Sequence, residues 1–241
     1  MLCVVCYVVH DSVIEFKNVS KIYQTNNGEC AALTKVDLAV RPKDFLSVAG
    51  PSGSGKSTLL KLLLGEERPT DGQIFFNGQD IALFSTSEMP HLRRRIGTIF
   101  QDFKLLSNKT VYENIAFAME MVGKPTREIK QDVPQVLELV GLSDKTEYFP
   151  HQLSGGEKQR ASIARALIHR PEVILADEPT GNLDLLNTWD VVRLLLKINE
   201  LGTTIILATH DREIINNLNR RVITINRGKV IRDEENGRYV L

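Results

Sequence analysis

No stretch of the 241 residues is apolar for long enough to cross a membrane as a helix, so insertion through a helical span is not expected. Net charge is missing too: 30 Lys and Arg balance 30 Asp and Glu, so no nucleic acid or anionic lipid surface is expected as a main partner. Cysteine is scarce, at three residues, an odd number that argues against a disulfide framework and for a cytosolic chain. Cys3 and Cys6 have C-x-x-C spacing, but no second cysteine pair completes a zinc site. The apolar residues 1–9 lack the basic start and small-residue cleavage site of a signal peptide. Residues 1–12 are therefore expected to be an extension, disordered or a start-site artefact, with the folded domain spanning 13–241. Internal repeats and low-complexity linkers are absent as well. What remains is 42% hydrophobic and 25% charged, enough to build one sizeable core with or without a subdomain.

The chemistry starts at Gly50-Pro51-Ser52-Gly53-Ser54-Gly55-Lys56-Ser57-Thr58, a full match to the phosphate-loop pattern G-x-x-x-x-G-K-[ST]. An apolar strand over 45–49 precedes it and a helix over 56–64 follows, which is the context the motif requires. Glycines let backbone N–H groups and the positive helix end close around a phosphate. Lys56 adds a point charge at the β and γ phosphates, and Ser57 offers a hydroxyl to Mg²⁺. The pattern thus implies a nucleoside triphosphate.

Around it, 13–19 and 33–40 read as two strands of an antiparallel layer, with a polar turn at 25–28. Tyr23, just after the first strand, could stack on a purine or simply pack half-buried. Asn77-Gly78 marks a hairpin, and Arg93-Arg94-Arg95 reads as the solvated face of a short helix over 90–95. From about 102 to 165 strand signals give way to helical periodicity, which predicts an inserted helical subdomain. There Thr110 and Glu113 form a capping box, while Pro134 either kinks the 127–140 helix or marks its first turn.

Leu153-Ser154-Gly155-Gly156-Glu157 opens another helix, and its capped, glycine-rich start is a second anion site. Three apolar strands then end in polar residues: Gln101 after 96–100, Asp177-Glu178 after 173–176, and His210 after 204–209. Polar tips at the carboxyl ends of neighbouring strands predict one shared site. In it Asp177 would hold Mg²⁺ and Glu178 would orient or deprotonate the attacking water.

This set resembles the nucleotide-binding subunit of ABC transporters over about 13–239, with 153–157 similar to the family's signature motif. The resemblance implies an α/β fold: a phosphate-loop core with a mostly parallel sheet, an antiparallel β-layer and an α-helical subdomain. It implies an ATPase that uses ATP and Mg²⁺ and pairs head to tail on binding ATP, so that each signature completes the partner's site. By position, Tyr23 becomes the base-stacking aromatic and Gln101 the sensor of Mg²⁺ and the membrane partner. Asp177 becomes the Mg²⁺-anchoring acid, Glu178 the catalytic carboxylate, Asp184 the dimer-seam acid and His210 the γ-phosphate switch. Gln101-Asp102-Phe103-Lys104-Leu105-Leu106 and the run from Thr209 to Asn216 are similar to the cell-division branch of the family. That branch signals through the integral membrane protein FtsX to cell-wall hydrolases, which would hold the chain at the inner face of the membrane. Phe103, Leu105 and Leu106 would line the docking groove. Lipoprotein-release and macrolide-export ATPases, or a nucleotide-gated scaffold with incidental hydrolysis, are the alternatives. Two departures stand out: Ser107 replaces a proline often found after Leu105-Leu106, and the proline often found after Asp184 is absent.

Overall fold

Alternation along the strands decides how the chain layers. In β7 (Val173–Asp177), Val173 and Leu175 face one core and Ile174 and Ala176 the other; β8 (Thr204–Thr209) splits Ile206 and Ala208 from Ile205 and Leu207 in the same way. Strands buried on both faces belong inside a sheet covered on both sides. The computed structural model describes residues 11–25 and 28–239. Cys3, Cys6, residues 1–10 of the expected extension and Asn26 and Asn27 of the expected turn lie outside the described residues.

The central sheet runs β10-β9-β3-β8-β7-β6, using β3 (Phe45–Ala49), β6 (Ile96–Phe100), β9 (Arg221–Asn226) and β10 (Lys229–Glu234). Its strands are parallel except β10, which returns antiparallel to β9. A second, antiparallel sheet has the order β2-β1-β4-β5, from β1 (Ile14–Thr25), β2 (Gly28–Val40), β4 (Asp71–Phe76) and β5 (Gln79–Asp80). One core, including Phe16, Phe76, Leu46 and Leu59, fills the space between the two sheets and α1 (Lys56–Leu63). The other joins the opposite face to α3 (Val111–Glu120), α4 (Thr126–Leu139), α5 (Gly155–Leu167) and α6 (Leu185–Glu200). This is the α/β cassette architecture expected, completed by α2 (Met89–Arg94) and α7 (Arg212–Leu218).

Three local expectations change. Both strands of the first hairpin extend well past the expected ends, through register shifts near Phe16, Val19 and Lys21. The arginine run is not one solvated face: Arg93 donates to the Leu64 and Gly65 carbonyls, and Arg95 pairs with Glu172 at 2.5 Å over the Phe76 ring. Pro134 does not open its helix, because α4 begins at Thr126 and runs through it; the Lys130 carbonyl forgoes its partner instead.

The segment from Gln101 to Thr110 connects the sheet to the helices and is clamped at both ends. Asn114, fully buried on α3, accepts from the Leu106 N–H at 2.7 Å and shares its amide hydrogens among the Leu106, Lys109 and Thr110 carbonyls. Arg165 of α5 donates to the carbonyls of Phe103 and Lys104, two successive residues at φ 59° and 51°. Removing Asn114 strands several buried polar groups, so Asn114→Ala is expected to lower unfolding free energy by about 2–4 kcal/mol. Urea denaturation checks this; a change below about 0.5 kcal/mol would show that the segment does not need the clamp.

Candidate functional site

Strand register brings the polar tips together. Phe100 lies opposite Asp177, Asp177 opposite Ala208, and Ala49 opposite Thr209. Gln101, Glu178, His210 and Gly50 therefore leave the sheet along one edge, as their order along the chain implied. The phosphate loop occupies this edge. Gly55 caps α1 at φ 116°, and a Cβ there would strike the Ala32 carbonyl of β2, so the loop sits directly on the antiparallel layer. Gly228, in the β9–β10 turn, fastens it by donating to the Ser54 carbonyl at 2.9 Å and accepting from Thr34 at 2.8 Å.

Lys56, 6% exposed, bends back to donate to the Gly50 and Pro51 carbonyls at 2.9 and 3.2 Å. Its ammonium lies 3.6 Å from Glu178 Oε1, and the same oxygen lies 2.8 Å from His210 Nδ1. Glu178 is thus a carboxylate between two cation-forming groups. Its backbone reverses at φ 46°, and its N–H donates to the Ala208 carbonyl, which turns the side chain off the end of β7 toward β8.

Asp177 is more deeply placed. Burial pushes its carboxyl above the ordinary aspartate range; Ser57, bonded to it, and Lys56 pull the other way, while Glu178 pushes it further up. Its Oδ1 has no hydrogen-bond partner, and Ser57 and Asp177 both line a cavity of about 50 Å³. An orphaned carboxylate oxygen beside a hydroxyl fits a hard divalent cation, which takes oxygen ligands. Its raised pKa means that ionising Asp177 costs the folded chain stability, a cost present above the raised pKa and absent below the ordinary aspartate value. Asp177→Asn is therefore expected to raise the nucleotide-free melting temperature by about 2–4 °C while abolishing Mg²⁺-dependent turnover. Scanning calorimetry beside a phosphate-release assay tests both halves, and a lowered melting temperature would contradict the cost assigned to Asp177.

Gln101 is held in place by Asn182, the two exchanging side-chain and backbone bonds at 3.2 and 3.1 Å. Gly181 allows this approach, since a Cβ there would meet the Gln101 amide. Sequence reading assigned Asn182 no role; its position between Gly181 and Asp184 was the available signal. Tyr23 is half-buried on β1 opposite Cys30 of β2, with Lys21 Nζ 4.9 Å from its ring centroid.

The start of α5, expected to be a second anion site, packs against a different part of the chain. Ser154 caps α5 in a reciprocal box with Glu157, whose carboxyl is held low chiefly by the Ser154 N–H. Leu153 is buried, Gly155 packs on Leu183, and the missing Cβ of Gly156 leaves room for Asn187. Asn187 in turn donates at 2.6 Å to Asp184, the cap of α6. The starts of α5 and α6 form one unit, and the contacts of these two glycines are with it, not with the phosphate loop. Asn187 is a second residue that sequence reasoning passed over.

Residues 33–181 match the ABC transporter family. The cell division ATP-binding protein FtsE of Bacillus subtilis is 49% identical over 227 residues, covering 94% of this chain and 98% of the relative. FtsE of Escherichia coli K12 is 45% identical over 216 residues, covering 90% and 96%. Among solved structures, the ATP-binding cassette MJ0796, dimeric in a post-hydrolysis state with ADP and Pi, superimposes with a TM-score of 0.84 at 33% identity, covering 94% of this chain and all of the other.

Proposed function

Because the chain belongs to the ABC transporter family, and within it to the FtsE cell-division ATP-binding proteins, we propose that it is the ATP-driven switch of a cell-division complex whose membrane subunit resembles FtsX. It is an ATPase of that family. The observation that carries the hydrolytic reading is the Lys56–Glu178–His210 cluster, set beside Asp177 and Ser57 at the phosphate loop. Gly50 to Thr58 wrap the phosphates and Tyr23 stacks on the base. Lys56 holds the β and γ phosphates, while Ser57, Asp177 and Gln101 hold Mg²⁺, which when bound offsets phosphate charge. Glu178 takes a proton from the attacking water as it adds to the γ phosphorus and ADP leaves. His210 orients Glu178 and contacts the γ phosphate.

The separation of signature and phosphate loop within the chain supports a head-to-tail homodimer, closed by ATP and reopened by hydrolysis. Leu153, Ser154, Gly155, Gly156 and Glu157 then complete the partner's site, with Asp184 at the seam. No helix among the described residues is long and apolar enough to cross a membrane, so recruitment to the inner face runs through the partner.

A groove of about 370 Å³ between α3 and α5 gives that partner a place to dock. Its lining includes Leu106, Phe117 and Met121 together with the exposed Arg93 and Arg94, which suits an acid-bearing amphipathic helix. The groove takes in Leu106 of the expected docking residues; Leu105 packs instead on the helical core. Met121 is 65% exposed, so Met121→Glu is expected to keep ATP turnover while losing at least ~10-fold in membrane recovery. Pull-down of tagged chain from native membranes, with mass spectrometry, reads this. An efflux or lipoprotein-release permease as the recovered partner would overturn the division role, and undiminished recovery of Met121→Glu would overturn the groove.

A further inference from the structure

α7 has seven residues, under two turns, and a helix that short stays formed only where its neighbours hold it. Ile214 and Leu218 give one face to the helical core. Tyr239 covers another. Positions 212, 215 and 216 share that second face by their i, i+3 and i+4 spacing, and all three meet Tyr239. The Arg212 guanidinium lies 5.1 Å from the ring centroid, Ile215 joins the ring in a small buried cluster with Ala49 and Val222, and the Asn216 side chain accepts from the Tyr239 N–H at 2.9 Å. The segment that carries Tyr239 is itself tied down. Glu235 pairs with Arg41, and the Gly237 N–H donates to the Arg220 carbonyl at 3.2 Å. Tyr239 is accordingly only 7% exposed, although it lies past β10.

α7 begins two residues after His210. Asp211 caps it by accepting from the Glu213 and Ile214 N–H groups at 2.8 and 3.2 Å, and its own N–H donates to the Thr209 hydroxyl at 3.1 Å. His210 is thus suspended between the end of β8 and this cap. Its side chain is 59% exposed, so packing does not place the ring; the backbone and the 2.8 Å contact with Glu178 do. Tyr239 touches both supports of that backbone, α7 directly and β8 through Ala49, which lies opposite Thr209. Ala49 is also paired with β9 on its other side, so the phosphate loop that follows it does not depend on the ring.

We propose that Tyr239 is a positioning residue for His210: it holds α7 against the end of β3 and so keeps the imidazole at Glu178. This rests on the reading above that His210 orients Glu178. The effect falls on turnover and spares nucleotide binding, because Tyr239 acts on the reaction only through His210.

In the full chain, Tyr239→Ala should lower kcat about 10-fold, while KM for ATP and the affinity for a fluorescent ATP analogue stay within about twofold. Tyr239→Phe should turn over as the native chain does, since the ring and the backbone N–H make the contacts with α7. In a His210→Ala background, Tyr239→Ala should change kcat by less than about twofold, because a residue that acts through another has nothing left to act on. A merely structural role would instead cost the same in both backgrounds. Arg212→Ala/Asn216→Ala, at two exposed positions, frees α7 from the segment without opening the core. That pair should lower kcat at least ~3-fold, again only where His210 is present, and it decides the matter if Tyr239→Ala does not fold. Native turnover in Tyr239→Ala or in the pair, or equal losses with and without His210, overturns the positioning role alone. A His210→Ala chain that turns over like the native one overturns the reading of His210, and the positioning role with it.

Discussion

Glu178→Gln is expected to bind ATP at least as tightly as the native chain and to turn it over at least ~10²-fold more slowly. The amide keeps the shape and can still meet the His210 ring, 2.8 Å away in the native chain. What it loses is basicity, and with that the ability to take a proton from water. Binding should not suffer, because a negative charge beside the γ-phosphate position is removed and Lys56 keeps its bonds to Gly50 and Pro51. Asp177 should gain: Glu178 is one of the groups that push its carboxyl up, so it ionises more readily in the variant. Phosphate release and nucleotide binding, measured on one preparation, separate these effects. Turnover within about threefold of native would remove Glu178 from the catalytic role.

Lys56→Ala should fail earlier, at binding. An ammonium that is 6% exposed and aimed into the phosphate loop cannot be replaced by solvent, so affinity for ATP should drop at least ~10²-fold. The substitution also leaves the Gly50 and Pro51 carbonyls without their donor and Glu178 without its 3.6 Å neighbour. Some of the loss could then be structural, and Lys56→Met resolves that by retaining the apolar stem. Calorimetric titration of both variants should give equally weak binding. If Lys56→Met bound ATP like the native chain, packing rather than charge would be the contribution of this residue. Lys56→Arg is not expected to rescue, because a planar fork needs room that the buried position does not have.

Much of the site was legible because its parts are local. The phosphate loop, the capping boxes at Thr110 and Ser154, and the hairpin at Asn77-Gly78 depend on residues within a few positions of each other, where backbone chemistry leaves a fixed pattern. The convergence of Gln101, Glu178 and His210 followed from a rule about strand ends. What escaped is what joins distant segments: Asn182 reaching Gln101, Asn187 filling the space at Gly156, and Arg165 gripping the carbonyls of Phe103 and Lys104. None of these bonds imposes a period on the sequence, and an arginine on a helix reads as solvated until the loop beneath it is known. The first hairpin was underestimated for a related reason. Its described outer residues, Ser20 to Thr25 and Gly28 to Ala32, are all at least partly exposed, so no alternation reports them.

The packing of Gly155 on Leu183 and of Gly156 on Asn187 of α6, away from their own phosphate loop, has a genetic consequence in the head-to-tail arrangement proposed above. Every nucleotide site is then half inherited from another molecule. With native and Glu178→Gln alleles expressed equally, roughly a quarter of the pairs would be wholly native. The others would carry at least one arrested site, so the allele should be dominant, its severity following gene dosage. A Lys56→Ala allele, whose product neither binds nucleotide nor closes, should instead stand aside and behave as recessive.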